Sequence, residues 1–461
     1  MGKTTKLKPR TLSGFMELLP APQQQMERIL EILRETYSLY GFTPLDTPII
    51  EDANVLLAKG GGETEKQIYS VSNYNLKGDK DSNLAMRFDL TVPLAKYVAL
   101  NYGQLTFPFR RYQIGKVYRG ERAQRGRYRE FYQADIDIIG DGKLDIINEA
   151  EIPSIIYRTF TALGLNRFQI RVNNRKILNG FYAMQGLEAQ SQDVMRTVDK
   201  LDKIGPAAVR EILVEDLQVP AEAADEVLKF IAIRGTNAQV LAALEGYRGR
   251  NEVFDLGLDE LTTVTRYLGD FGVPEDHFAV DLTIARGLDY YTGTVYETTL
   301  LDHPEVGSVC SGGRYDNLAG YYTDKPLPGV GISIGLTRLF FVLQDQKLLN
   351  PALPTAPADV LVVAMDEAQQ GYAISVATQL RANGIRTQLY SEKKKFKAKI
   401  SYAAKLGIPY AMFLGESEAA AQTVSLKDLN KGEQVTVSLA EAVEMVQSYL
   451  QQSKEIPPIL E

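Results

Sequence analysis

Residues Phe109–Gly140, FRRYQIGKVYRGERAQRGRYREFYQADIDIIG, decide how this chain is read. Gln113–Arg119 reads as a strand, Gly120–Tyr128 as a loop rich in Gly and Arg, and Glu130–Ile139 as a second strand of alternating apolar and polar residues. Successive side chains in a strand point to opposite faces. Tyr132, Ala134, Ile136 and Ile138 therefore make an ordinary core face, and Phe131, Gln133, Asp135 and Asp137 share the other. An amide and two carboxylates are poor core material, because buried charges need partners. Such a face suits a concave site that receives a cation or a polar ligand. Arg110, Arg111, Arg119, Arg122, Arg125, Arg127 and Arg129 surround the loop in a chain of net charge -7. Local positive charge within an acidic protein is where an anion such as a polyphosphate goes. A solvated antiparallel hairpin with a charged tip accounts for the same pattern, so the hairpin alone leaves both readings open.

Outward from the hairpin, the N-terminal side holds a helix whose stripe is Met26, Ile29, Leu30, Leu33, Tyr37 and Tyr40, stopped by Gly41. Thr43–Ile50 reads as extended, with Pro44 and Pro48 keeping it off a central strand position. Gly60–Gly62 reads as a turn, Met86–Thr91 as a short strand and Val92–Leu100 as a helix. On the C-terminal side come a helix over Ile147–Leu163 and a strand over Phe168–Val172. From about Asn174 to Gly272 the sequence is helical and polar, an insertion after which Gly-punctuated, strand-rich sequence resumes. That continuation holds DLTIARGLDYYTGTVYETT (Asp281–Thr299), GSVCSGGRYDNL (Gly307–Leu318) and GVGISIGLTRLFFVL (Gly329–Leu343), the last a strand running into a helix that carries Arg338.

A proline-bearing linker at 346–357 separates this from 358–461, where strands alternate with helices. That alternation predicts a parallel sheet wrapped by helices. The fold expected is an α+β domain over 1–345, an antiparallel sheet with helices and a helical insertion at about 174–272, plus a C-terminal α/β domain over 358–461. A length of 461 residues fits two or three domains, and 45% hydrophobic with 24% charged residues fits a globular protein. One cysteine, Cys310, excludes an intrachain disulfide, and with only His277 and His303 no thiolate or imidazole metal cluster is expected. No apolar run reaches the length of a membrane span and no signal-peptide core is present, so a cytoplasmic location is the expectation.

Four arginine-bearing segments lie far apart in sequence: Arg119 with its loop, Arg286, Arg314 and Arg338. Neither a Walker A motif nor a dinucleotide fingerprint is present. Converging arginines without a P-loop suggest a nucleotide site that grips phosphates by side-chain forks. Asp289-Tyr290-Tyr291 follows Arg286-Gly287 closely, a density of polar function unusual for core. Lys393–Lys399 is a solvated face or an RNA phosphate contact.

These stretches resemble the histidyl-tRNA synthetases, a family of class II aminoacyl-tRNA synthetases, over nearly the whole chain. The N-terminal helix and Pro48-bearing strand resemble motif 1, Tyr118–Gly140 motif 2 and Gly329–Leu339 motif 3. RGLDYYTGTVYE (Arg286–Glu297) and SGGRYDNL (Ser311–Leu318) resemble the two stretches peculiar to the histidine enzymes. The resemblance implies a histidine–tRNA ligase that makes histidyl-adenylate from L-histidine and ATP with Mg²⁺, then charges tRNA(His) as a homodimer. It implies that Arg119 grips the α-phosphate and the substrate carboxylate, with Glu121 and Arg127 placing the nucleotide and Arg338 on the γ-phosphate. Arg286 takes the place of a metal ion at the reacting phosphorus, which with Arg119 makes the catalytic pair; no protein-bound metal is implied. Asp89, Leu90, Thr91 and Gln133 lie around the substrate amino group, Asp137 and Tyr291 at the imidazole edge, with Arg286, Tyr290 and Tyr315 completing the pocket. Many bacterial members carry Glu where this chain has Asp89 and Asp137, and the shorter Asp demands compensation in the pocket. The alternative of another class is a non-charging regulatory subunit of ATP phosphoribosyltransferase. Such relatives usually lack the C-terminal domain and erode the motif arginines, whereas Arg119, Arg286 and Arg338 all stand here. A dead synthetase-like domain within a kinase and a synthetase for another amino acid are opposed by the absence of kinase signatures and by the histidine-type stretches.

Overall fold

The computed structural model describes residues 7–58, 65–73, 83–284, 290–351, 353–452 and 459–460. The expected turn at Gly60–Gly62, the opening hexapeptide and Arg286 with its neighbours through Asp289 lie outside the described residues. The chain divides into two compact units, one of Met1–Glu17 and Leu30–Leu348, the other of Leu18–Ile29 and Leu349–Glu461.

In the larger unit the first strands are short: β1 (Thr43–Pro44), β2 (Ile50–Asp52), β3 (Ser70–Val71) and β4 (Leu84–Met86). β2, β4 and β3 form a small sheet of their own. The hairpin follows as β5 (Phe109–Tyr118) and β6 (Glu130–Ile139). After it come β7 (Phe168–Asn174), β8 (Phe278–Val280), β9 (Thr294–Leu300), β10 (Ser308–Tyr315) and β11 (Gly329–Ile334). The main sheet runs β1-β5-β6-β11-β10-β9-β7-β8. β5 through β7 pair antiparallel, while β1 and β8 lie parallel at the two edges. Proline in β1 is tolerated there because an edge strand can spare one donor.

Residues directly opposite in an antiparallel pair lie on the same face, so the register turns a sequence pattern into a surface. Arg111 faces Asp137, Asp137 faces Gly331, and Gly331 faces Gly313. The next row is Gln113, Asp135, Ser333, Ser311, Glu297 and Arg171. The polar half of β6 is thus part of a polar face that crosses the sheet. The opposite half, Ala134, Ile136 and Ile138, is fully buried, which removes the solvated-hairpin reading. β5 begins at Phe109, four residues before its expected start, because Arg110 and Arg111 have partners that let charge enter a strand: Glu151 at 2.9 Å and Asp137 at 2.6 Å.

Between β7 and its parallel neighbour β8 the chain makes the expected helical excursion, from Arg175–Met184 to Glu252–Asp270. Those two helices touch closely. A Cβ on Gly180 would meet the Phe254 nitrogen at 2.5 Å, and one on Gly257 the Ile177 nitrogen at 2.7 Å. Phe181 stacks on Phe230 at 3.8 Å, with Tyr247 and Phe254 packed edge-on around them. The expected strand at Met86–Thr91 is corrected: β4 ends at Met86, and Asp89 sits in a turn where its Oδ1 accepts from the Val92 nitrogen at 3.1 Å. From the position before the N-cap Leu90, Asp89 thereby satisfies a first-turn N–H of the helix Thr91–Asn101.

The smaller unit contains β12 (Val360–Ala364), β13 (Thr387–Leu389), β14 (Tyr410–Leu414), β15 (Thr423–Asp428) and β16 (Gln434–Ser438), in the order β13-β12-β14-β15-β16. Helices Gln370–Ala382 and Leu439–Gln452 cover one face, over Val360, Val362, Met412 and Leu414. Ala403 of the helix Phe396–Lys405 packs on Leu361, Val363, Ala411 and Phe413 of the other. The expectation of a wholly parallel sheet is corrected: β15 and β16 join antiparallel. β16 is the edge strand, and its polar, largely exposed residues give weak alternation.

Candidate active site

A cleft of about 470 Å³ opens on the polar face of the main sheet, a size suited to small-molecule ligands. Its floor is β6 with Gln133, Asp135 and Asp137, then Ser333 and Gly331 of β11 and Ser311 of β10. Glycine is required at the floor. A Cβ on Gly331 would lie 2.2 Å from Asp137 Oδ1, and one on Gly313 2.8 Å from the Thr294 carbonyl and 3.0 Å from the Tyr291 ring. The bare backbone leaves room for a carboxylate and an aromatic ring to lie across the sheet.

One part of the wall is cationic. Arg119 donates from Nε to the Phe88 carbonyl at 3.1 Å and lies over the Phe131 ring at 5.1 Å. Arg338 enters from the helix Leu336–Asp345 and donates to the Ser308 and Val306 carbonyls. Arg127 lies 3.8 Å from Glu121, and both border the same space. Burial pushes the Arg338 guanidinium down from its ordinary value, and the Arg127 charge adds to that; Glu121 and Glu297 oppose it. Cations whose mutual repulsion is felt inside a cleft are arranged for an anion.

The other part is acidic and aromatic. Asp89, Asp135 and Asp137 are all buried. Burial raises Asp89 to about 6 and Asp135 to about 7, and raises Asp137 in the same direction while Arg111 pulls it back. Tyr315 donates its hydroxyl to Asp137 Oδ1 at 2.6 Å. Tyr290 packs edge-on against Tyr291, centroids 5.0 Å apart, and against Tyr315 at 5.9 Å. Desolvation keeps all three phenols protonated, with pKa values above the ordinary tyrosine range. Buried carboxylates with unfilled acceptor sites, Asp89 Oδ2 and Asp135 Oδ1 among them, await a donor.

The cleft collects Asp89, Thr91, Arg119, Glu121, Arg127, Gln133, Asp137, Tyr290, Tyr291 and Arg338 from the expected residues. Tyr315 stands behind Asp137 rather than in the wall, and Leu90 is buried with its carbonyl accepting from Arg111 Nη2 at 3.2 Å. Arg314 does not converge with the other arginines. It pairs with Glu149 at 2.7 Å and Asp316 at 2.9 Å, held by opposite charge to the fold instead of to a ligand. Lys399 is likewise withdrawn from the basic segment, buried and donating to the Ala364 carbonyl at 2.9 Å. Asp135, Asp199 and Glu297 line the cleft although no role was expected of them. Alternation placed Asp135 on the polar face of β6, but Asp199, at the end of an inserted helix, carried no signal.

An antiparallel sheet with parallel edges, an arginine at the end of the first hairpin strand and another on the helix after β11 define a class II aminoacyl-tRNA synthetase catalytic unit. A family model described as histidyl-tRNA synthetase matches residues 14–339, and one described as an anticodon binding domain matches 359–449. This chain belongs to the histidyl-tRNA synthetase family. It is 51% identical over 442 residues to the Histidine--tRNA ligase of Clostridium tetani, covering 96% of this chain and 99% of that one. The Stenotrophomonas maltophilia protein of the same name is 47% identical over 463 residues, covering 97% and 99%. The crystal structure of histidyl-tRNA synthetase from Nostoc sp. PCC 7120 superposes with a TM-score of 0.86 at 41% identity, covering 96% of this chain and 100% of that one. A structure described as an ATP phosphoribosyltransferase regulatory subunit/histidyl-tRNA synthetase, from Bacillus halodurans, has a TM-score of 0.72 at 21% identity and shares the fold. Among the described residues no helix is long and apolar enough to cross a membrane.

Proposed function

We propose that this chain is a histidine–tRNA ligase whose cleft joins L-histidine to ATP and hands the histidyl group to the 3' end of tRNA(His). The observation that carries the reading is the meeting, in one cleft, of Arg119, Arg127 and Arg338 with Asp89, Asp137 and Tyr291. Asp89, with Thr91 and Gln133, receives the substrate ammonium, and the Leu90 backbone shapes that corner. Asp137 accepts from the imidazole N–H while Tyr291 borders the ring; Tyr290 and Tyr315 hold the pocket's shape. Arg119 neutralises the α-phosphate and the substrate carboxylate together, Glu121 and Arg127 place the rest of ATP, and Arg338 holds the γ-phosphate. Mg²⁺ enters with ATP as part of the substrate, bound mainly by phosphate oxygens. Arg286, proposed on the resemblance alone, supplies positive charge at the reacting phosphorus, where it grows in the transition state.

No side-chain nucleophile is needed. The histidine carboxylate attacks the α-phosphorus in line and pyrophosphate leaves; the tRNA hydroxyl then attacks the acyl carbon and AMP leaves. Positioning and charge neutralisation supply the rate. In this reading residues 1–345 form the catalytic domain, 358–461 the anticodon-binding domain, and the working form is a cytoplasmic homodimer. Transfer of labelled histidine to tRNA(His) tests it: charging that Arg119→Ala reduces about 100-fold or more is expected. ATP-dependent charging that is absent in the wild type defeats the ligase reading and leaves the regulatory-subunit alternative.

A further inference from the structure

Among the described residues Arg111 is the largest fully buried side chain, at 0% exposure, and it does not line the cleft. Its Nη2 lies 2.6 Å from Asp137 Oδ2 and donates to the Leu90 carbonyl at 3.2 Å. Its Nε and Nη1 have no hydrogen-bond partner among the described residues. A cation beneath a pocket that takes up an ammonium ion is unfavourable for the substrate itself. Its effect must therefore pass through the carboxylates. Asp137 is contacted on both oxygens, Oδ2 by the Arg111 ion pair and Oδ1 by the Tyr315 hydroxyl, and it lies where a Cβ on Gly331 would come within 2.2 Å of Oδ1.

We infer that Arg111 is a positioning residue for histidine recognition, the counter-ion that fixes Asp137 as a charged acceptor facing the imidazole. The inference rests on the proposed function. The titratable and charged groups facing Asp137 are Arg111 from β5, Tyr315 from β10, Asp135 beside it on β6, Tyr291 from the segment before β9, and Asp89 from the segment before Thr91–Asn101. Asp89 and Asp135 oppose a charge on Asp137, the tyrosines stay neutral, and Arg111 supports it. A pair of buried opposite charges contributes little net stability, whereas removing one partner leaves the other stranded. This distinguishes a positioning role from a merely structural one.

The test is pyrophosphate exchange by the full-length chain carrying Arg111→Met, Arg111→Lys, Asp137→Asn or the Met/Asn double substitution. Arg111→Met is expected to raise the KM for histidine about tenfold or more, leaving the ATP KM and kcat within about threefold. Arg111→Lys restores part of the loss, and the Arg111→Met defect shrinks as pH rises and Asp137 regains its charge. In the Asp137→Asn background, Arg111→Met adds less than about twofold, because the group it acts on is gone. The double variant removes both members of the ion pair, so its comparison with Asp137→Asn stands even where Arg111→Met alone does not fold. A full further loss in that background overturns the inference, as does an Arg111→Met enzyme with wild-type histidine KM or with ATP and histidine KM raised equally. A wild type without histidine-dependent exchange defeats the proposed function instead.

Discussion

Histidine binding should release protons from the enzyme, and the structure sets how many. Burial holds Asp135 at about 7 and Asp89 at about 6 in the free protein. At pH 7 roughly half of the Asp135 carboxyls and roughly a tenth of the Asp89 carboxyls then carry a proton. A bound ammonium favours the ionised form of both, so histidine uptake expels about 0.6 proton at pH 7 and only about 0.1 at pH 8. The sign follows from the raised values: free protein holds protons that bound protein does not, so histidine affinity falls as pH falls through 7 and then 6. Titration calorimetry in two buffers of different ionisation enthalpy reads the number as a slope. Asp135→Asn should cut it at pH 7 to about 0.1. A buffer-independent enthalpy at pH 7, or proton uptake, would refute the assignment of the acidic wall to the substrate ammonium.

The cationic wall gives a separate expectation: Arg338→Ala should raise the KM for ATP about tenfold or more and leave histidine KM nearly unchanged, read in the exchange assay; an equal rise in both contradicts its place beside the triphosphate. Arg314→Met strands the buried Glu149 carboxylate and should cost about 3–5 kcal/mol of stability in thermal or urea unfolding, with both KM values retained; a kinetic defect without destabilisation would return Arg314 to the site. In the smaller unit, Lys394, Lys395 and Lys397 are exposed while Lys399 is buried. Replacing the first three with Ala should weaken tRNA binding and flatten its salt dependence, whereas Lys399→Met should alter stability and not the salt slope in a filter-binding titration.

The residues that were legible in the sequence are those whose information is local. Alternation over Glu130–Ile139 fixed both the strand and its polar face, since period two survives whatever packs on it. What escaped is held by partners remote in sequence. Arg111 looks like one more surface charge until cross-strand pairing sets it against Asp137. Arg314, on β10, reads as a phosphate grip until Glu149 is brought to it from the helix Ile147–Ala162. Asp89 was legible as a pocket residue but not as the acceptor for a first-turn helix N–H, because the run MRFDLT alternates like a strand across what is an irregular segment. Asp199 reaches the cleft only because the inserted helices fold back toward the sheet, and no periodicity reports that.

The proposed activity requires that the acidic pocket and the arginines serve one substrate pair. The most direct measurement is ATP–pyrophosphate exchange with the full set of amino acids, each offered alone to the purified full-length protein. Exchange with histidine, and none above background with the others, is the predicted result. Exchange that is absent with histidine, or equally fast with a second amino acid, would contradict it.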